Sequence, residues 1–315
     1  MRTFSPVFYA CLAVALGVSA PALAQEDLLE QIAETERKPQ VFGTFHANVL
    51  VNLPTVETAG KGEILLNFVH RFGEMTGPRG GIDALYGLDF VHDIRLAFYY
   101  GITDRLHVGV ARSKIGRRLD GEVKYKVLQQ RIGGMPVSVT ALGNVAVGTE
   151  ENAAVQGPAS NVENPVQLYP DFNSHLTYLV ALPIAKKIGD RLSVQLVPMW
   201  LHRNYLTARL DDHDVFAVGV GTRFAVSNHF ALTSEYVQTL SPYRLYQVDN
   251  FKYYAPLSLG FEVVAGGHVF QMSLSNTAVL PNEFLVNGNT SWGEGEMRLG
   301  FNIVRSIGVS KRRGN

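Results

Sequence analysis

From Gly62 onward the chain alternates apolar residues with polar or small ones, in runs of about ten. Ile94, Leu96, Phe98 and Tyr100 hold one parity against Arg95, Ala97 and Tyr99. Leu192, Val194, Leu196 and Trp200 do the same against Ser193 and Gln195. Further on, Leu257, Leu259, Phe261 and Val263 alternate with Ser258, Gly260 and Glu262, and Phe270, Met272 and Leu274 with Gln271, Ser273 and Ser275. Met297, Leu299, Phe301 and Ile303 complete the series against Glu296, Arg298 and Asn302. A period of two means strands with one apolar and one polar face. The pattern predicts twelve: 62–72, 93–101, 105–113, 121–131, 135–148, 171–187, 191–204, 214–225, 229–240, 254–265, 268–277 and 291–305.

The gaps between these runs define the architecture. Thr103-Asp104, Gly133-Gly134, Gly189-Asp190, Ser227-Asn228 and Gly266-Gly267 have the chemistry of tight hairpin turns. They alternate with longer connections at 73–92, 114–120, 149–170, 205–213, 241–253 and 278–290. Short turns at one end, long loops at the other and an even strand count describe an all-β fold, a closed antiparallel transmembrane β-barrel with periplasmic turns and extracellular loops. Closure is required because an open sheet edge in hydrocarbon leaves backbone groups unpaired. The apolar parity then meets lipid, and Tyr169, Phe172, Tyr205, Tyr243, Tyr246, Tyr253, Tyr254 and Trp292 fit an aromatic girdle on the long-loop side. A water-soluble periplasmic barrel with an apolar interior is the competing arrangement.

The first residues read as an export signal: Met1-Arg2, an apolar core from Pro6 to Val18, and Ala22-Leu23-Ala24 as the cleavage site, so the mature chain starts at Gln25. Residues 25–61 follow as a periplasmic cap, a lumenal plug or an extra strand. Glu26–Arg37 is spaced as a short amphipathic helix, and Val41–Leu53 looks extended. A basic tail, 306–315, follows the barrel, which spans 62–305, and the last strand does not stop at an aromatic as terminal outer-membrane strands do. No apolar run after the N-terminus is long enough for a membrane helix, which needs about 20 residues. Formal charge is zero, with 28 basic and 28 acidic residues, which gives no electrostatic case for nucleic acid. The expected partners are the lipid bilayer, the outer-membrane insertion machinery and a small solute. Cys11, the one cysteine, lies in the signal, leaving the mature chain without a thiol.

Candidate chemistry is sparse. No serine follows His202-Arg203-Asn204 in the place a barrel lipase would need it, so no catalytic residue is assigned. The nine histidines, His46, His70, His92, His107, His175, His202, His213, His229 and His268, lack metal-site spacing, so no metal or cofactor is assigned. Gly219 and Gly221 share one strand parity, where missing side chains let the wall curve or a plug approach. The polar parity is the candidate lumen: Glu63, Asn67, Arg71, Arg95, His107, Glu122, Lys124, Lys126, Gln195, Arg223, Glu235, Glu262, Gln271, Arg298 and Asn302. Its mixed signs predict no single-sign selectivity ring. The groups either line a narrow pore or pair across it and block it, since twelve strands lie between filled and open barrels. The apolar loop 73–92, with Ile82, Leu85, Tyr86, Leu88, Phe90 and Val91, either folds inward as a constriction or packs on neighbouring loops.

Several stretches carry a resemblance: Val56-Glu57-Thr58 with Gly60-Lys61-Gly62-Glu63, His70-Arg71-Phe72-Gly73, Gly101-Ile102-Thr103-Asp104-Arg105-Leu106, Met135-Pro136-Val137-Ser138-Val139 and Gly266-Gly267-His268-Val269-Phe270-Gln271. Across residues 41 to 305 the chain resembles an uncharacterised family of bacterial β-barrel proteins, a domain of unknown function. The resemblance implies the barrel and carries no activity and no residue roles. The expected function is a non-enzymatic outer-membrane barrel that passes small solutes, with a plugged structural or binding barrel as the alternative.

Overall fold

The alternation becomes a closed ring of strands in the computed structural model, which describes residues 39–76, 80–149, 171–206, 210–247, 252–279, 283–286 and 289–308. The strands are β1 (Glu63–Glu74), β2 (Val91–Gly101), β3 (Leu106–Ser113), β4 (Arg118–Leu128), β5 (Ser138–Gly148), β6 (Leu176–Ala181), β7 (Ile184–Ile188), β8 (Leu192–Arg203), β9 (Asp214–Ala225), β10 (Phe230–Thr239), β11 (Leu257–Ala265), β12 (His268–Ser275) and β13 (Arg298–Gly308). Each pairs antiparallel with its neighbour, and β1 pairs with both β2 and β13, which shuts the ring. β6 and β7 are two halves of one wall strand, both paired with β5 and β8. The break falls at Leu182-Pro183, beside Pro198 of β8, where proline has no N–H to give to the ladder. Twelve wall strands result, as the sequence predicts.

Burial is inverted relative to a soluble barrel. Phe98, Val110 and Leu259 are at least half exposed, at 50%, 59% and 51%, while Arg71, Lys124 and His107 are fully enclosed at 0%. The apolar parity faces outward around the ring, and the inward parity is polar except for an apolar patch that includes Leu179, Val197, Met199, Leu201 and Val215. A continuous apolar exterior of this extent is stable only against hydrocarbon. This arrangement rules out the dry-cored soluble barrel.

Several boundaries differ from expectation. Residues 172–175 form a 3-10 turn capped by Asp171, whose carboxylate accepts the Ser174 amide at 2.9 Å, so the strand begins at Leu176. Residues 291–297 are turn structure, and β13 instead runs on to Gly308. Gly133-Gly134 sits in a longer connection, 129–137, where Arg131 bridges to Gln40. Val41–Leu53 forms no strand. The loop 80–90 stays exposed and does not constrict the barrel. The girdle is partial: Phe172 and Tyr246 are exposed, but Tyr243 is buried and Tyr253 turns inward, donating to the Leu285 carbonyl at 3.1 Å. The export signal, the Glu26–Arg37 stretch, Tyr169 and the tail beyond Gly308 lie outside the described residues.

The chain from Thr44 to Ala59 enters the ring. Its crossing into β1 is tight: the Gly62 amide donates to the Gly101 carbonyl at 2.8 Å, and a Cβ at Gly101 would fall 1.9 Å from the Gly60 carbonyl oxygen. Only glycine admits that approach.

Candidate functional site

The inward side chains converge on the segment Thr44–Ala59, and they bind mostly its backbone. Consecutive amides of Val51, Asn52 and Leu53 donate to the Glu235 carboxylate of β10 at 3.2, 2.9 and 3.0 Å, a nest of N–H groups around one anion. The Asn52 amide side chain adds a contact at 2.6 Å. Opposite, Arg71 of β1 donates to the Val51 carbonyl and the Asn52 side chain, both at 2.9 Å, and to Asn302 of β13 at 2.9 Å. Asn302 also reaches the Val51 carbonyl at 3.2 Å and Gln271 at 3.0 Å, and Gln271 reaches the Val49 carbonyl at 3.2 Å.

The other wall strands hold the two flanks. Lys124 donates to the Asn48 carbonyl at 3.1 Å, and Asn67 to the Asn48 side chain at 2.8 Å. His107 accepts the Ala59 amide on Nδ1 at 3.0 Å, so its proton sits on Nε2, which faces Glu122 at 3.3 Å. Lys126 pairs with Glu57 at 3.4 Å, and Thr140 donates to the Val56 carbonyl at 2.9 Å. On the far wall Arg223 and Glu262 form a close ion pair, and His46 touches both. Gly219 and Gly221 supply room: a Cβ there would lie 2.6 Å from Leu53 and 2.7 Å from Leu50, and Gln195 packs alongside Gly221.

Of the predicted lumen residues, Glu63, Arg95 and Arg298 find their partners outside the inner segment. Glu63 is half-buried at the turn end and accepts from Ser306, and Arg298 pairs with Glu74 at 2.6 Å at the loop end. Arg95 binds Asp120 of β4, which also accepts from Asn144 at 2.8 Å. Asp120, Asn144 and Thr140 are inward partners that the sequence reading did not select. Asp120 follows Arg117-Arg118 and looks like loop.

A second closure comes from the loop end. Phe284, Leu285 and Val286 are buried in one cluster with Leu53, Val197, Met199, Leu201, Val215, Ala217 and Val237. The residues that fold inward are therefore Phe284, Leu285 and Val286 of the last long connection, and not residues 80–90. The available signal is the apolar run Phe284-Leu285-Val286 in a connection, together with strands such as β8 whose two parities are both apolar. Between the inner segment and the wall remains a cavity of about 60 Å³, bounded by Asn67, Arg95, Asn144, Leu142, Met199 and Phe284 among others. It has room for a few waters.

A family model described as "Membrane bound beta barrel domain (DUF5777)" matches residues 45–307. The chain belongs to this family. The description agrees with the outward apolar belt and with the expected outer-membrane location. The match begins at Phe45, so the matched range includes most of the inner segment as well as the wall. Comparison with curated proteins finds no match. Among solved structures, the NanC porin is similar at 8% identity and TM-score 0.45, covering 78% of this chain and 98% of that one. The KdgM porin is similar at 9% identity and TM-score 0.45, covering 77% and 99%. The COG4313 outer membrane channel from Pseudomonas putida F1 is similar at 13% and 0.41, covering 84% and 100%. These are likenesses of architecture and assign no solute.

Proposed function

We propose that this protein is a non-enzymatic outer-membrane channel for small solutes that its own residues 44–59 hold shut as a lumenal plug. What carries the reading is the attachment at Glu235: the segment is held by hydrogen bonds from a polar wall, which water can replace when the segment leaves. An inner chain meant only to fill the barrel would be served as well by a wall of apolar side chains. The wall left behind has Arg71, Lys124 and Lys126 with Glu122, Glu235 and the Arg223–Glu262 pair facing an aqueous lumen, so both signs line it.

The test is conductance in planar bilayers. Wild-type barrels are expected to open rarely. Glu235→Ala strips the nest of its anion at a cost of about 3 kcal/mol to the closed state, so openings become roughly a hundredfold more frequent. Heat-modifiable migration on gels reports that the barrel is intact. Silence from both proteins with migration unchanged would reject the channel and favour a plugged structural barrel.

A further inference from the structure

One sector of the outer wall carries cations at its loop-end edge. On the outward parity of β1–β4 the ionisable groups are His70, His92 and Arg112, with Tyr100 and Tyr125, and no carboxylate among the described residues. Glu74, past the bulge in β1, turns to Arg298. Arg112 sits one residue from the loop end of β3, exposed, between the outward Leu96 and Leu119. Two residues on, Lys114 lies over the Phe90 ring at 5.4 Å, and its ammonium donates one hydrogen to the Val91 carbonyl at 2.8 Å. Arg117 follows, exposed, in the turn Ile115–Arg117. Neither arginine has an acidic partner among the described residues, and the loop acids Asp83 and Asp89 pair with none of the three cations.

Beside these cations the loop 80–90 presents Ile82, Leu85, Tyr86, Leu88 and Phe90 to the outside. A guanidinium at the edge of hydrocarbon keeps its charge and needs an anion or water at the interface. Among the described residues no carboxylate pairs with these cations, and charge complementarity points to an anion of the membrane. Cations two residues apart along one strand face lie about 7 Å apart, so they address a head group with more than one anionic oxygen cluster.

We propose that this face is a binding site for a phosphorylated glycolipid of the outer leaflet. Arg112, Lys114 and Arg117 hold its phosphates. Its acyl chains run down the outward Leu96, Phe98 and Leu119, and the apolar loop covers the sugar–lipid junction. The site is separate from the lumen, so it stands or falls independently of solute passage.

The experiment uses the full-length protein, purified in detergent, with native mass spectrometry and a fluorescent lipopolysaccharide. Wild-type protein is expected to retain the phosphorylated glycolipid. The variant Arg112→Gln/Lys114→Gln/Arg117→Gln should lose at least about tenfold in affinity, as should wild-type protein offered the enzymatically dephosphorylated lipid. Arg305→Gln, an outward arginine at the turn end of β13, should bind as wild type, with gel migration unchanged in all variants. Equal affinity for the dephosphorylated lipid, equal affinity of the triple variant, or equal affinity for phosphatidylglycerol would each overturn the proposal.

Discussion

Gly219 and Gly221 show how much a missing side chain can decide. Both lie on the inward parity of β9, between Ala217 and Arg223, and their absent Cβ atoms are the space that Leu53 and Leu50 fill. Gly221→Val would place methyl groups inside that space, against a Leu50 that is already enclosed. Overpacking of this kind costs about 1–3 kcal/mol, and here the inner segment can relieve it by leaving. Gly221→Val is therefore expected to raise the frequency of bilayer openings by roughly tenfold or more while the wall still resists unboiled detergent. Gly143→Val is the matching control. It sits on the outward face of β5 with open space around its Cβ, and should behave as wild type.

At the scale of elements, the loop-end closure depends on one carboxylate. Asp211, in the connection between β8 and β9, takes Arg203 at 2.8 Å and Arg244 at 2.6 Å, and Arg244 in turn donates to the Val286 carbonyl of the inward loop at 3.2 Å. Desolvation opposes its ionisation, yet the two guanidiniums prevail and hold the Asp211 carboxyl below the usual carboxylate range. Nearby, burial pushes the Tyr253 phenol up to about 12, so it remains a donor to Leu285 at any physiological pH. A folded-state pKa lowered this way stabilises the loops above the unfolded value of about 3.9, and that contribution fades as pH falls through the folded value. Amide exchange in residues 283–286 should thus be slow and flat from pH 7 to 5, after correction for intrinsic rates, and rise only in stronger acid. Asp211→Asn should show the acid behaviour already at pH 7, because removing one partner of a buried pair costs about 3–5 kcal/mol. Flat exchange in both proteins would show that the clamp does not hold the loop.

The same scale shows what the sequence could and could not disclose. Wall strands were legible because lipid enforces a strict period of two, and their order followed from turn chemistry at Thr103-Asp104 and Gly266-Gly267. Boundaries slipped where another interaction set them: Asp171 caps a 3-10 turn ahead of β6, and Gln40 bridges to Arg131 and opens out the β4–β5 turn. The polar parity selects Arg71, Lys124, Glu235 and Asn302, whose side chains are buried inside the ring. It could not say that their partners are backbone groups of residues 48–53, because a backbone carbonyl or amide has no letter of its own. The loop 80–90 left two arrangements open, an inward fold or packing on neighbouring loops, and its Ile82, Leu85, Tyr86, Leu88 and Phe90 are exposed.

For the whole molecule, the two faces obey opposite rules. Phe98→Arg places a charge among outward Leu96, Tyr100 and Val110, where the cost at mid-membrane is about 2–4 kcal/mol. Refolding yield into lipid vesicles should drop accordingly, with no change in openings for the fraction that inserts. Ser273→Ala, on the inward face of β12, should leave insertion untouched. Identical yields for Phe98→Arg and wild type would mean that this face does not meet lipid.

The glycine crossing at Gly60 and Gly101 gives the inner chain a fixed foot on the turn-side rim. In the opening proposed above, escape is a swing about that foot, led by residues 39–53, while the last few before β1 stay put. Paid out in full, the 21 residues from Pro39 to Ala59 form a tether of about 70 Å, more than twice the ~30 Å of a bilayer's oily interior. Such a tether can clear the mouth completely and still never drift beyond reach of it.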